Sequence, residues 1–407
     1  MGSASASTRC IEAAGGTLVD LCEMNRVLRV DRDSVTVQPG ITLAELADVL
    51  DAEGLELIGG FDYANRTVGG AVFAAGLEAV SADEGSSFGA NVNQIKFVSA
   101  NGQKGTVNQE TATMLRLFRQ SYGLLGIAYE VTLRVRPMRN FDIRSIKVEA
   151  ADLSNVLAGI ANAGTAARIK LFPFRGTVHC ELRQSTERAD KGAKLAWRLK
   201  SWAVNSAMPA AAFALAKVLP VDRFRYPLVD ALGETTLNLS SLGPLKSGTA
   251  STEELTQTNI FGAANLERSS WAYPQTRFAA VASEYFGFCK EHFERTGFRC
   301  DQPATAYPAP RDSSSLLSPA FDQPIVTLCA MSAPAEGWQD FSFELAEFAA
   351  RNGGIPLFGQ SQHLSAATVC NAFGRRWDAF RKTRQQLDPE RRLVNSFFEN
   401  FLTDRAT

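Results

Sequence analysis

Short apolar runs separated by turn residues open the chain. Residues 17–21, Val27–Val30 and Ser34–Val37 each read as a strand. Pro39-Gly40 breaks that pattern and a helical one follows. Leu43, Leu46, Ala47 and Leu50 share one face, Thr42 precedes them, and Glu45 stands three residues after it. Thr and Glu at that spacing form a capping box, and Gly54 marks the stop. Residues 95–100 with Asn101-Gly102 predict a hairpin, and 129–135 a further strand. The alternation through about residue 137 predicts an α+β unit.

A second unit starts near residues 138–150. Residues 141–148 predict the edge strand of another sheet, and 168–183 a hairpin around Arg175-Gly176. Residues 187–245 read as helical and loop-rich. Phe278, Val281, Tyr285, Phe286, Cys289 and Phe293 recur at helical spacing until Gly297, and 341–352 predicts a helix closed by Gly353-Gly354.

Composition narrows the function classes. A chain of 407 residues is long enough for two cores. A net charge of -1 argues against nucleic acid as a partner. Only three histidines are present, His179, His292 and His363, so no multi-histidine metal site is expected. The seven cysteines form no C-x-x-C pair, which predicts reduced thiols and a cytoplasmic location. The first seven residues carry neither a basic nor an apolar stretch, so they do not read as a signal peptide. Residues 202–219 are the most membrane-like, yet Asn205, Pro209 and Lys217 interrupt them. They predict an amphipathic helix over the second unit, with peripheral membrane contact as the minority reading and no integral span. The expected partner is a small-molecule substrate; the oligomeric state is left open.

Glycines and hydroxyls cluster at three places: Thr67-Val68-Gly69-Gly70 with Gly76 after it, Gly85-Ser86-Ser87-Phe88-Gly89, and Tyr122-Gly123-Leu124-Leu125-Gly126-Ile127. Such turns let backbone N–H groups approach an anion such as a pyrophosphate. No G-x-G-x-x-G follows a strand and no P-loop is present, so neither a nicotinamide Rossmann site nor a triphosphatase is supported. Taken in order and followed by Glu130-Val131-Thr132-Leu133, these segments resemble the second half of the PCMH-type FAD-binding domain of the vanillyl-alcohol-oxidase superfamily.

That resemblance implies an α+β fold: an N-terminally incomplete FAD-binding domain over 1–137, an α+β substrate or cap domain with an antiparallel sheet over 138–375, and a segment, 376–407, returning to the first domain. It implies non-covalent FAD held by Ser7, Thr67, Gly69, Gly70, Gly76, Gly85, Ser86, Ser87, Phe88, Gly123, Gly126, Ile127 and Asn395. The family's Gly-Ser-Gly-His-Ser loop falls on Ser3-Ala4-Ser5-Ala6-Ser7, where Ala6 replaces the histidine that carries a covalent bond in some members. The strand–helix–strand that precedes this loop in the family is missing. Truncation and natural degeneration both account for that.

The C-terminal third resembles the substrate side of sugar-alcohol and aldonolactone oxidases, through Ala306–Asp312 and the stretch from Gly353 to His363. In those oxidases a His-Trp-x-Lys motif follows the Gly-Gly turn; here the residues are Leu357-Phe358-Gly359-Gln360, and Gln360 is neutral. His363 is the proton-acceptor candidate, Gln360 an orienting group, and Arg311 a substrate clamp or one half of a solvated pair with Asp312. The expected function is FAD-dependent oxidation of a hydroxyl-bearing small molecule, with a flavin-free scaffold as the alternative.

Overall fold

The computed structural model describes residues 2–12, 15–60, 62, 64–76, 78, 87–186, 247–251 and 266–402, with scattered positions between 202 and 235. Strands β1 (Val27–Val30), β2 (Ser34–Val37), β3 (Leu55–Leu57), β4 (Val92–Val98), β5 (Lys104–Asn108) and β6 (Ile127–Pro137) form one sheet. Its order is β1-β2-β6-β4-β5, with β3 also on β6, and all pairings are antiparallel. The Asn101-Gly102 turn joins β4 to β5, with Gly102 at φ 82°. Helix α1 (Leu43–Ala52) carries the full Thr42–Glu45 capping box. It buries Leu43, Leu46 and Leu50 against the sheet, as the apolar spacing requires.

Residues 17–21 do not form the expected strand. They are irregular and mostly exposed, with no neighbouring backbone ladder among the described residues. The apolar run was too short to specify a strand without a partner.

The second sheet has nine strands: β7 (Asn140–Glu149), β8 (Ala166–Phe172), β9 (Thr177–Thr186), β10 (Ser247–Ser251), β11 (Glu267–Pro274), β12 (Ala304–Ala306), β13 (Pro308–Ala309), β14 (Ile325–Ser332) and β15 (Ile355–Pro356). The order is β10-β7-β9-β8-β12-β14-β11-β15, with β13 on β14. The 141–148 strand is therefore not an edge. Residues 247–251, more than 100 positions later, cover its outer side with five paired residues, a long-range pairing no local pattern reports. Most of the segment 202–219 and of 187–245 lies outside the described residues.

One face of this sheet packs on helices α4 (Leu153–Ala163), α5 (Gln275–Thr296) and α6 (Trp338–Arg351), giving a core of Ile169, Leu171, Trp271, Phe278, Phe341 and their neighbours. Helix α5 ends at Gly297, in the left-handed conformation at φ 76°. The other face is turned toward the first unit. Short helices α2 (Val68–Phe73) and α3 (Ala112–Phe118) complete the first unit, and α7 (Ala366–Phe373), α8 (Arg375–Leu387) and α9 (Ser396–Leu402) pack into its core. Phe358 is the hub of that packing. Its ring lies 5.7 Å from Phe373, 5.5 Å from Trp377 and Phe398, and 5.2 Å from Tyr122. No helix among the described residues is long and apolar enough to cross a membrane, and all seven cysteines are free.

Candidate functional site

A cleft opens on the first unit. Its walls come from four segments that are distant in sequence: the N-terminal loop Gly2–Ala6 with Cys10, the start of α2, the 122–128 turn, and Gly359-Gln360. Thr67, Gly69, Gly70, Gly123, Gly126, Ile127 and Gln360 all line it. These seven of the sixteen sequence-predicted residues are brought together; the other nine are not among the described cleft walls.

The glycines reach that position for different reasons. Thr67-Val68-Gly69-Gly70 is the first turn of α2 rather than an open loop, and Thr67 Oγ1 accepts the Gly70 N–H at 3.1 Å. A side chain on Gly69 would meet Pro39, and one on Gly70 would meet Arg66. Gly76 is filled the same way by the Arg66 guanidinium. Gly123 differs: it sits at φ 77°, and a methyl added there would meet nothing within 4 Å, so its open side is cleft space.

The N-terminal loop is stitched to the 358–362 segment. Ser7 N donates to Gly359 O at 2.9 Å, Thr8 Oγ1 to Phe358 O at 2.7 Å, and Gln362 Nε2 to Ser7 O at 3.2 Å. Asn395 caps α9 by accepting from Phe398 N at 3.1 Å, and its Nδ2 donates to Cys10 O at 2.9 Å. Ser7 and Asn395 therefore hold the cleft wall from behind. Ser87 is buried and accepts from Gln120 Nε2 at 2.9 Å, and Phe88 belongs to the core. Gly85 and Ser86 lie outside the described residues.

Of the three chemistry candidates, Gln360 alone faces the cleft. His363 is exposed at φ 54°, with Nε2 2.9 Å from Ser342 Oγ and its ring edge on Phe343. Partial burial lowers its pKa. Arg311 is exposed and donates to Phe321 O at 3.2 Å. Arg66, not singled out from the sequence, is the one charged residue among the described cleft walls, and it is 8% exposed. Tyr122 lines the same end. Its hydroxyl accepts Ala75 N–H at 3.2 Å, and burial raises its pKa. Burial likewise raises the Cys10 thiol, which keeps it protonated.

A second group was missed altogether. On the face of the nine-stranded sheet turned to the first unit, directly opposed residues form a polar row: Lys147, His179, Lys170, Thr305, Cys329 and Ser270. Arg168, Glu181 and Arg183 stand beside it. Arg183 bonds Asp62 of the first unit at 3.1 Å and Glu181 at 3.1 Å; Arg168 bonds Glu181 at 3.1 Å. Glu78 accepts N–H groups from Gly60 and Asp62, and burial plus the Asp62 charge push its pKa up to about 7. The available signal was the alternation of charged and apolar residues in Arg168-Ile169-Lys170-Leu171 and His179-Cys180-Glu181-Leu182-Arg183. It reads as an ordinary solvated face until a second layer covers it.

Comparison with known proteins adds the following. The profile of a family described as FAD binding domain matches residues 2–107. L-gulonolactone oxidase of Mus musculus is 32% identical over 133 residues, covering 31% of this chain and 29% of that enzyme. A putative D-arabinono-1,4-lactone oxidase of Neurospora crassa is 32% identical over 130 residues, covering 31% of this chain and 23% of that protein. The match thus spans less than a third of the length of these relatives. Among solved structures, cholesterol oxidase from Brevibacterium sterolicum superposes with a TM-score of 0.76 at 13% identity, covering 99% of this chain and 89% of that one. At that identity the likeness is one of fold.

Proposed function

We propose that the chain is a member of the PCMH-type FAD-linked oxidase superfamily and an FAD-dependent oxidoreductase acting on a CH–OH group of a small polyol, lactone or related metabolite. The observation that carries this reading is the cleft. Its N-terminal wall is made of Gly, Ser and Ala, with Ala4 in the left-handed region at φ 51°. Among the described residues, the N–H groups of Ser3 to Ala6 have no backbone acceptor. Small residues with free N–H groups at a turn suit a pyrophosphate, so the residues present fit the cofactor.

Bound there, FAD would supply a hydride acceptor for the alcohol carbon. The N-terminal loop and Gly123 would hold the cofactor by close backbone approach. Arg66 would provide the positive charge that Gln360 does not, at the end of the cleft where Tyr122, Ala75 and Gln360 meet. Ala6 has no nucleophile, and the Cys10 thiol stays protonated, so both favour non-covalent binding. Residues 1–137 with α7–α9 would form the cofactor side, and the nine-stranded sheet the substrate side. Free thiols throughout favour a reducing compartment such as the cytoplasm.

The visible spectrum of the purified chain, with and without added FAD, tests this. We expect an oxidised-flavin band that survives gel filtration but not acid precipitation, and turnover with a member of a panel of aldonolactones, alditols and sterols. A protein that stays colourless with excess FAD would remove the oxidoreductase reading for this chain.

A further inference from the structure

The two arginines beside the row are matched by carboxylates, and Lys170 within it is not. Arg183 and Arg168 have Glu181 and Asp62 as carboxylate partners. Lys170 is half-buried on the same face, and among the described residues no hydrogen bond or ion pair engages its amine. The groups facing it are Arg168 on its own strand, His179 and Glu181 on β9, Thr305 on β12, and Asp62 from the first unit.

The row also has a direction. At its far end Ser270 N donates to Gln360 O at 3.1 Å, and the Gln360 side chain lines the cleft. Lys170 lies three strands along from Ser270, about 14 Å at the usual strand spacing. A polar face therefore runs from the cofactor cleft to a lysine that makes no direct ion pair, the two carboxylates near it, Glu181 and Asp62, being engaged by Arg168 and Arg183. Its length suits a small polar molecule, one end at the cleft and the other at Lys170. The lining charges would have to be desolvated against an apolar ring system such as a sterol, which is costly.

We propose that Lys170 is a specificity-determining residue that binds a carboxylate carried by the substrate, at the end opposite the hydroxyl to be oxidised; the substrate class is a small polyhydroxy acid. This rests on the oxidoreductase reading for the word substrate, but the binding site itself does not. Burial, and then the neighbouring Arg168 charge, lower the Lys170 pKa to about 7. An arriving carboxylate would add the direct ion pair that Glu181 and Asp62, held by the arginines, do not make, and draw a proton onto the amine.

The test is calorimetric titration of the full chain with D-gluconate, and with D-glucitol as its neutral counterpart, in two buffers of different ionisation enthalpy. Gluconate is expected to bind at least tenfold tighter than glucitol. At pH 8 binding should take up close to one proton, falling toward none at pH 6, where the free amine already holds it. Lys170→Gln should abolish the uptake and the preference, whereas Lys170→Arg should keep the preference and lose its pH dependence. Circular dichroism of each variant checks that it is folded. Equal binding of the two probes, gluconate binding without proton uptake, or no binding of gluconate would each overturn the proposal. The flavin band, recorded on the same samples, separates the two readings: a colourless protein that still prefers gluconate keeps the site and loses the oxidoreductase, and a yellow one that does not prefer it loses the site alone.

Discussion

Gly123 and Gly126 stand three residues apart on the same turn and illustrate how little of a glycine's task a sequence reveals. Gly126 is at φ 158°, and a methyl there would sit 2.6 Å from the Phe97 ring and 3.1 Å from Val98 O. It is a packing glycine. Gly123 has only its positive φ and open cleft beside it. Gly126→Ala should therefore destabilise the fold by about 1–3 kcal/mol through overpacking, and weaken FAD binding only as far as the fold suffers. Gly123→Ala should cost about 1 kcal/mol of backbone strain, yet weaken FAD binding at least tenfold by closing the approach. Chemical denaturation and flavin titration of both variants give the two orders; the same order in both would refute the distinction. At this scale the sequence made the turn glycines legible as a set. It hid Arg66 and Lys170, because their significance comes from layers packed over them by residues far away in the chain. His363 drew attention as a lone histidine near a Gly-Gly turn, but the irregular backbone there, at φ 54°, puts its ring on Ser342 and Phe343 instead of the cleft.

Elements with local start and stop signals were the most legible. Helix α1 is the clearest case: Thr42 accepts from Glu45 N at 3.2 Å, and Glu45 accepts from Thr42 N at 2.9 Å. Thr42 also forms an isolated antiparallel bridge to Thr67, the residue that caps α2. Losing this cap would leave helix N–H groups unsatisfied, so Thr42→Ala should cost about 1 kcal/mol and Thr42→Ser far less. Because the bridge itself is made by backbone groups, the substitution should leave flavin affinity near that of the unchanged chain. Urea midpoints beside FAD titrations check this; a large loss of affinity would mean that the cap also positions α2 at the cleft. The β9 hairpin and the α5 boundary at Gly297 were read for the same local reason. The status of 141–148 as an interior strand was not, because its outer partner lies at Ser247–Ser251.

The contact between the two units is where stability and the buried charges meet. Glu78 and Lys170 belong to different units, and burial drives both toward neutrality, with pKa values of about 7 in place of 4.5 and 10.5. The folded chain holds a proton on Glu78 between about pH 4.5 and 7 that the unfolded chain has released, so stability falls as pH rises through that window. Between about pH 7 and 10.5 the relation reverses for Lys170: the unfolded chain keeps a proton the folded one has lost, and stability rises with pH. These two groups together carve a shallow minimum near neutral pH, opposite to the usual optimum there. Urea midpoints at pH 5, 7 and 9 should show the dip in the unchanged chain. Glu78→Gln, which mimics the protonated form, should flatten the limb from pH 5 to 7, and Lys170→Gln the limb from pH 7 to 9. Parallel profiles in all three proteins would mean that water reaches both groups and that the units meet less closely than the Arg183–Asp62 bond of 3.1 Å requires.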